Sequence, residues 1–513
     1  MFRDGILKSI WQAEITLTRN NVLRNDFYDV VIAGAGVSGL TCAVFLQKAG
    51  LKCIVLEAEN IGFGTTGGTT AHLNTFFDAS YDEVIRDFGL SNAQLLAEAG
   101  KLAIDIIRSN VSQYDIQCDF EEKTGFLFAT DDQQVEELKK VQEGSAKAGV
   151  KMEYCDKTPF PIPFLKAVKI PGQAQFHPIK YIKGLQKVFV ESGGELVDKC
   201  RVTDHRDDNG AIMISTTLGT VKARHLVYAT HTPPGVNSLH FRNIPWRSYV
   251  LGVELQSDDY PDALGYDLAD PYHYYRTHRV DGKNYLIAGG KDHKTGIQTD
   301  TRESLARLEA HVREHFDVKA IPFSWSSQFF EPVDGLPYIG RMPEETLDVY
   351  VCTGYNGNGM TFGTLAGKII SDLIVHNHSA YEALFSPGRI KPVAGFSGFV
   401  SHNANVAATW IKDQLSFREL EGLDDLDNDE GKVVEVNGRS YAVYKEATGI
   451  LHVLSNTCTH AKCSVEWNSA EKTWDCPCHG SRFGIQGNVL TAPAVKGLEK
   501  KELNISPSEV EKQ

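Results

Sequence analysis

The chain has 513 residues, 42% of them hydrophobic and 23% charged, with a formal net charge of -14. That length leaves room for about three domains and more than one cofactor, and so acidic a balance disfavours nucleic acid or an anionic membrane as the main partner, because both are gripped by clustered Lys and Arg. No apolar run of about 18 residues is present to cross a bilayer, and the opening MFRDGILKSIWQAEIT lacks an apolar secretion segment, so a cytoplasmic location is expected.

Residues 1–25 read as a polar arm. Tyr28 to Ala33 is then a short apolar run flowing into glycines, Leu40 to Ala49 has helical spacing, and Cys53 to Glu57 is a second apolar run, the pattern of a β-α-β unit. Gly34, Gly36 and Gly39, with Val37 and Ser38, form GxGxxG between strand and helix, where bare backbone N–H groups and the helix dipole can hold a pyrophosphate. A tight strand-helix turn without a ligand uses the same glycines, but Glu57, followed by Ala58, ends the next strand about 20 residues on, where a carboxylate can accept from both ribose hydroxyls of an adenosine. The hydroxyl-rich loop holding Gly64, Thr65, Thr66, Thr69, Thr70, Ala71 and His72 can wrap a second phosphate and the ribityl chain of a flavin.

Helical spacing returns over Ser91 to Asn110 and Asp131 to Ala148, and Glu195 to Arg206 and His225 to Ala229 read as strands. From about residue 236 to 320 the text is strand-rich, which predicts an antiparallel substrate-binding sheet. Tyr274 and Arg276 fall on one of its strands, where an arginine could clamp a carboxylate bidentately. His293 is a further candidate for substrate contact, with His231 and Lys294 beside it as weaker ones. His311 and His315 share a helical face, but the nearby carboxylates lack the spacing of a mononuclear iron site. Near the end of this region, DGLPYIG precedes a strand and then Gly357, Asn358, Gly359, Met360 and Thr361 open a helix. Its amides can stabilise charge on a reduced flavin by a few tenths to about 2 kcal/mol.

Together these pieces resemble the D-amino-acid oxidase superfamily of FAD enzymes, to which glycine and sarcosine oxidases belong, over roughly residues 26 to 384. The resemblance implies FAD, an α/β Rossmann-like domain joined to a substrate sheet, and a backbone contact to the adenine side at Val202. A second GxGxxG for NAD(P)H is missing.

Residues 385–430 carry a Pro/Gly stretch, one helical segment and an acidic run, the composition of a connector. Beyond residue 431, alternating residues around Asn437-Gly438 predict a hairpin and a small all-β domain to residue 513. Within it, Cys458-Thr459-His460 and Cys476-Pro477-Cys478-His479 set two thiolate-imidazole pairs on two loops. Two cysteines and two histidines also suit tetrahedral zinc. Over its whole length, however, CTHAKC with CPCHGS resembles the Rieske signature, which implies Cys458, His460, Cys476 and His479 as ligands of a [2Fe–2S] cluster and a Cys463–Cys478 disulfide. Lys462 departs from the glycine usual there, and Phe483 from a tyrosine that donates toward a cluster ligand, which would lower the potential.

The whole arrangement resembles bacterial FAD-dependent oxidoreductases that end in a Rieske domain. It implies oxidation of a small amine or amino-acid-like substrate, with electrons leaving through the cluster to an external acceptor such as a ferredoxin-like protein, quinone or oxygen. A redox sensor or electron-transfer module without metabolite turnover is the alternative.

Overall fold

The computed structural model describes residues 3–14, 22–298, 300–343, 345–389, 426–436 and 438–502. The opening unit is β1 (Phe27–Ala33), α1 (Val37–Lys48) and β2 (Cys53–Leu56), with β1 and β2 parallel from Val30 opposite Cys53 to Ala33 opposite Leu56. Glycine is obligatory between strand and helix. Gly34 has φ +104°, and a Cβ there would lie 2.5 Å from the Ala229 carbonyl oxygen, so only hydrogen fits.

Strand 219–228 pairs with β1 in parallel, 349–353 with 219–228 and 195–197 with β2, giving an eight-stranded sheet with 338–341 antiparallel at its edge. A second, nine-stranded sheet runs through 318–332, 243–255, 283–294, 274–280, 264–267, 121–129, 166–175 and 72–73, with 153–155 paired to 166–175. The predicted substrate sheet was drawn too narrowly. It extends to Pro332 and recruits strands from residues 121–129 and 166–175, which pack as one face of the same core, and 264–267 pairs with 121–129 in parallel. The helices at 90–113 and 132–148 match their expected spans closely. The expected strand from Glu195 to Arg206 is broken into two, 195–197 and 202–208, at Lys199, whose φ is +55°.

The C-terminal part has a three-stranded sheet, 430–436, 439–445 and 451–455, and a four-stranded one, 466–468, 473–475, 482–484 and 489–491. The first two strands pair antiparallel up to Val436 opposite Arg439, and Asn437 of the expected hairpin turn lies outside the described residues. The expected connector lies mostly outside the described residues. Among the described residues no helix is long and apolar enough to cross a membrane.

The polar arm is a correction. Asp4, Ile10 and Trp11 are buried, because the arm threads between the two halves of the molecule. Trp11 Nε1 donates to the Thr69 carbonyl at 2.6 Å, and the Ile6 amide donates to the Glu471 carbonyl at 2.9 Å. At this junction Arg247 Nη2 donates to both carboxylate oxygens of Glu471 at 2.6 Å and reaches Asp4 at 3.3 Å. Arg482 also bonds Glu471, and its Nε donates to Asp475 at 2.9 Å. Arg247, Glu471 and Arg482 are 0% exposed, so each charge depends on its partner.

Candidate active site and metal centre

A cavity of about 1000 Å³ opens at the carboxyl ends of β1 and its neighbours, the place where open α/β sheets bind ligands. Gly34, Gly36, Val37, Ser38, Glu57 and Ala58 line one end. The Val37 amide donates to Thr66 Oγ1 at 3.2 Å, and a Cβ on Gly36 would meet the same hydroxyl at 3.0 Å, so loop and helix close into a cradle with no room for a side chain. Glu57 accepts from the Ala35 and Glu59 amides at 2.8 and 2.9 Å, and burial raises its pKa against those bonds. Gly64, Thr65, Thr66, Thr69, Thr70 and His72 follow along the wall, with Val202 on the nucleoside side and Gly357, Asn358, Gly359 and Met360 at the far helix. These residues fit an FAD: bare amides, a carboxylate at a strand end and a helix N-terminus face one connected space.

Three of the predicted contacts do not line it. Gly39 packs against β1, where a Cβ would strike the Gly34 carbonyl at 1.9 Å, Ala71 is fully buried, and the Thr361 hydroxyl turns to the Asn74 carbonyl at 3.4 Å.

The nine-stranded sheet walls the other end. Tyr274 lines it, bonded through its hydroxyl to Ser248 at 2.7 Å. Arg276 does not. Its guanidinium donates to the Thr70 and Ala71 carbonyls at 2.7 and 2.8 Å and to His278 Nδ1 at 2.6 Å, which staples the flavin loop to the sheet, and burial lowers its pKa to about 9. His293 lies behind the wall, bonded to the Tyr249 hydroxyl at 3.1 Å, and Lys294 stands over the Trp246 ring. His231 lines the cavity with Nδ1 3.1 Å from Thr65 Oγ1. His72 is held neutral, its pKa lowered to about 3 by burial and the nearby Arg276 charge.

The sequence reading missed two carboxyls. Asp292 and Asp78 both line the cavity. Burial pushes Asp292 up to about 7, against a hydrogen bond from Ser248 and with help from the Asp78 charge. Burial likewise lifts Asp78 to about 6, against bonds from the Gly357 amide at 2.7 Å and the Tyr272 hydroxyl. Asp292 adjoins His293, and strand alternation was the available signal, since neighbouring residues face opposite sides of a sheet.

In the C-terminal part the two loops converge. Cys458 is 0% and Cys476 1% exposed, and the rings of His460 and His479 are 5.0 Å apart. His460 Nε2 donates to the Gly235 carbonyl at 3.0 Å, which fixes the tautomer and leaves a buried Nδ1 without a partner, the atom available to a metal. Hydrogen bonds from Cys476, from the His460 and Ala461 amides and from Ser481 lower the Cys458 thiol to about 7, against burial. A disulfide between Cys463 and Cys478 ties the loops and removes both thiols from any ligand set. The remaining two sulfurs and two imidazoles can hold a [2Fe–2S] cluster.

His311 is brought beside Asp267 and His273, a set that spacing could not foresee, because Asp267 ends one strand, His273 precedes the next and His311 lies on a helix. These groups bond within the protein instead: His273 Nδ1 lies 2.7 Å from Asp267 Oδ2 and His311 Nε2 lies 2.6 Å from the Tyr275 hydroxyl, and the two imidazoles are stacked at 3.8 Å.

The two sites touch. Leu490, Thr491, Ala492, Ala494 and Val495 of the C-terminal part line the cavity. The Ala494 amide donates to Ser481 Oγ at 3.0 Å, and Ser481 bonds Cys458. On the opposite side Pro234 lines the cavity while the next carbonyl, Gly235, holds His460.

A family model for FAD dependent oxidoreductases (DAO) matches residues 29–373, and one for the Rieske [2Fe-2S] domain matches residues 419–502. The chain is 33% identical over 500 residues to YhfW of Bacillus subtilis (strain 168), which is named as a Rieske 2Fe-2S iron-sulfur protein, across 97% of this chain and 98% of that one. It is 26% identical over 370 residues to the gamma-glutamylputrescine oxidoreductase of Escherichia coli (strain K12), across 69% and 85% of the two chains. Glycine oxidase from Geobacillus kaustophilus has the same fold over 71% of this chain and 99% of its own, with a TM-score of 0.58 and 20% identity.

Proposed function

Because this chain belongs to the family of FAD-dependent oxidoreductases and ends in a Rieske [2Fe–2S] domain, we propose that it oxidises a small amine or amino-acid-like substrate and passes the electrons through that domain to an external acceptor. One observation carries the route: segment 490–495 is both a wall of the cavity and, through Ala494 and Ser481, a support of the cysteine-histidine cage. When bound, FAD supplies a two-electron acceptor and a Rieske cluster a one-electron carrier.

The chain's own part is to prepare the substrate. An ammonium group has no lone pair to assist loss of hydride from the neighbouring carbon, so its proton must leave first. Asp292 is placed to take it, moving the proton from nitrogen to carboxylate oxygen, and a base near pH 7 suits the task. Tyr274 and Ser248 orient that carboxylate, and the surrounding aromatic rings exclude water. The base works only when deprotonated, so kcat/KM for an amine should rise as pH passes upward through about 7. In Asp292→Asn that limb should vanish and the rate fall by about 10²–10⁴-fold. The pH profile of flavin bleaching measures both.

Anaerobic mixing with amines, betaines and amino acids, followed by flavin absorbance and EPR, tests the whole reading. Flavin and cluster should be reduced together by at least one of them. A cluster that never changes oxidation state overturns the electron route, and silence across the panel favours a redox module without metabolite turnover.

A further inference from the structure

The sheet end of the cavity holds two carboxyls on one wall. Asp78 accepts from Tyr272, the Tyr272 ring lies 5.7 Å from that of Tyr274, the Tyr274 hydroxyl is 2.7 Å from Ser248, and Ser248 bonds Asp292. Asp292 Oδ1 is shielded and has no partner within the protein. Aromatic rings complete the chamber: Tyr266 packs 5.0 Å from Phe76 and 5.3 Å from His72. Carboxylates set among aromatic faces are the surroundings in which an ammonium ion is held, by charge and by the ring quadrupoles.

The cations around the cavity lie away from its sheet end or at its rim. Arg201 pairs with Glu59 on the nucleoside side, and Arg3 donates to the Gln328 carbonyl near Thr65. Arg86 pairs with Asp87 at 2.8 Å on an exposed helix, and Lys140, on another, stands beside Glu137. Arg276, the buried arginine of strand 274–280, is spent on the flavin loop. Arg3 keeps a buried Nη1 without a hydrogen-bond partner, but it stands by Thr65 and His231, and no described cation acts on Asp78 or Asp292, so a substrate carboxylate at the sheet end would enter beside two carboxyls crowded in a poorly solvated space. At the rim, Asp82, Glu83, Glu136 and Glu137 also line the opening, and outnumber Arg86 and Lys140.

We infer that this chamber selects an aliphatic amine carrying a second cationic nitrogen and no carboxylate, an α,ω-diamine or a polyamine. The assignment rests on the amine-oxidation reading above and narrows it. Two carboxyls have two tasks: one takes the proton of the nitrogen to be oxidised, and the other stays charged beside the distal ammonium.

Three compounds of similar length separate the contributions: 1,4-diaminobutane with a second cation, 1-aminobutane with none and 4-aminobutanoate with a carboxylate. Titrated anaerobically into the FAD-loaded protein and followed by calorimetry, the diamine should bind at least tenfold more tightly than 1-aminobutane, and 4-aminobutanoate at least tenfold more weakly than 1-aminobutane. Asp78→Asn, which removes the charge beside the distal ammonium, should shrink the first ratio to below threefold. Equal or tighter binding of 4-aminobutanoate overturns the inference, and so does an unchanged ratio in Asp78→Asn. If that variant fails to retain FAD, the wild-type ranking decides. Ranked binding without flavin bleaching leaves this inference standing and removes amine oxidation, whereas bleaching by glycine without any preference for the diamine does the reverse.

Discussion

The two sites are built on different scales. The cysteine-histidine cage takes its four ligands and its sulfur-bonding groups from residues 458 to 481, closed by a disulfide, and reaches outside them only for such supports as the Gly235 carbonyl and the Ala494 amide. The cavity draws its wall from residues as far apart as Arg3 and Val495, and no covalent link closes it. A site of the first kind is specified by short loops and tolerates changes elsewhere. A site of the second kind is only as well formed as the junctions between its contributors, and here the decisive junction is the buried set of charges around Glu471.

Breaking that junction is the sharpest test of the difference. Glu471→Ala leaves Arg247 and Arg482 buried without their shared carboxylate, which should cost about 3–5 kcal/mol of stability. Denaturant titration should show the loss as an earlier midpoint, with weakened FAD retention, while the cage keeps its iron and sulfide. A cost below about 1 kcal/mol would mean that the network behaves like a solvated surface pair.

The same contrast governs what could be read in advance. Cys458, His460, Cys476 and His479 were legible because ligand spacing is local, and Gly34 and Gly36 because a turn against a phosphate tolerates nothing larger. Arg276 falls on a strand of the substrate sheet as expected, yet two carbonyls of the flavin loop claim it, and no pattern announces a partner 205 or 206 residues away. Nothing in the sequence singles out Glu471 or Arg482. Their burial depends on Arg247, 224 positions from Glu471, and on the arm at Asp4, 478 positions from Arg482. Polar residues at a junction look like solvated residues until the two halves are assembled, which is also why residues 1–25 read as a polar arm.

A second test acts on the cage alone. Cys463→Ser with Cys478→Ser opens a cross-link spanning 15 residues, worth about 3 kcal/mol on the loop-entropy estimate. The expected signature is the converse of Glu471→Ala: cluster content, measured as acid-labile sulfide, falls and the cluster bleaches at lower denaturant, while flavin absorbance and substrate-induced bleaching are retained. Loss of FAD at the same denaturant as the cluster would show that the cage is not locally specified after all.

The smallest effect is set by a single dihedral. Lys462 has φ +65°, and its amide donates to the Cys458 carbonyl at 3.2 Å, so the backbone is pinned in the left-handed region by the turn that presents the first ligand pair. A side chain there costs roughly 1–2 kcal/mol relative to glycine, and the extra freedom of glycine in the unfolded chain returns about 0.5–1 kcal/mol of that. Lys462→Gly should therefore stabilise the cage by about 0.5–1 kcal/mol, seen as a higher denaturant midpoint for cluster bleaching with FAD release unmoved. A destabilised cage would mean that the lysine side chain holds the loop by contacts that outweigh its strained backbone, and the first loop would then owe its shape to its surroundings, as the cavity does.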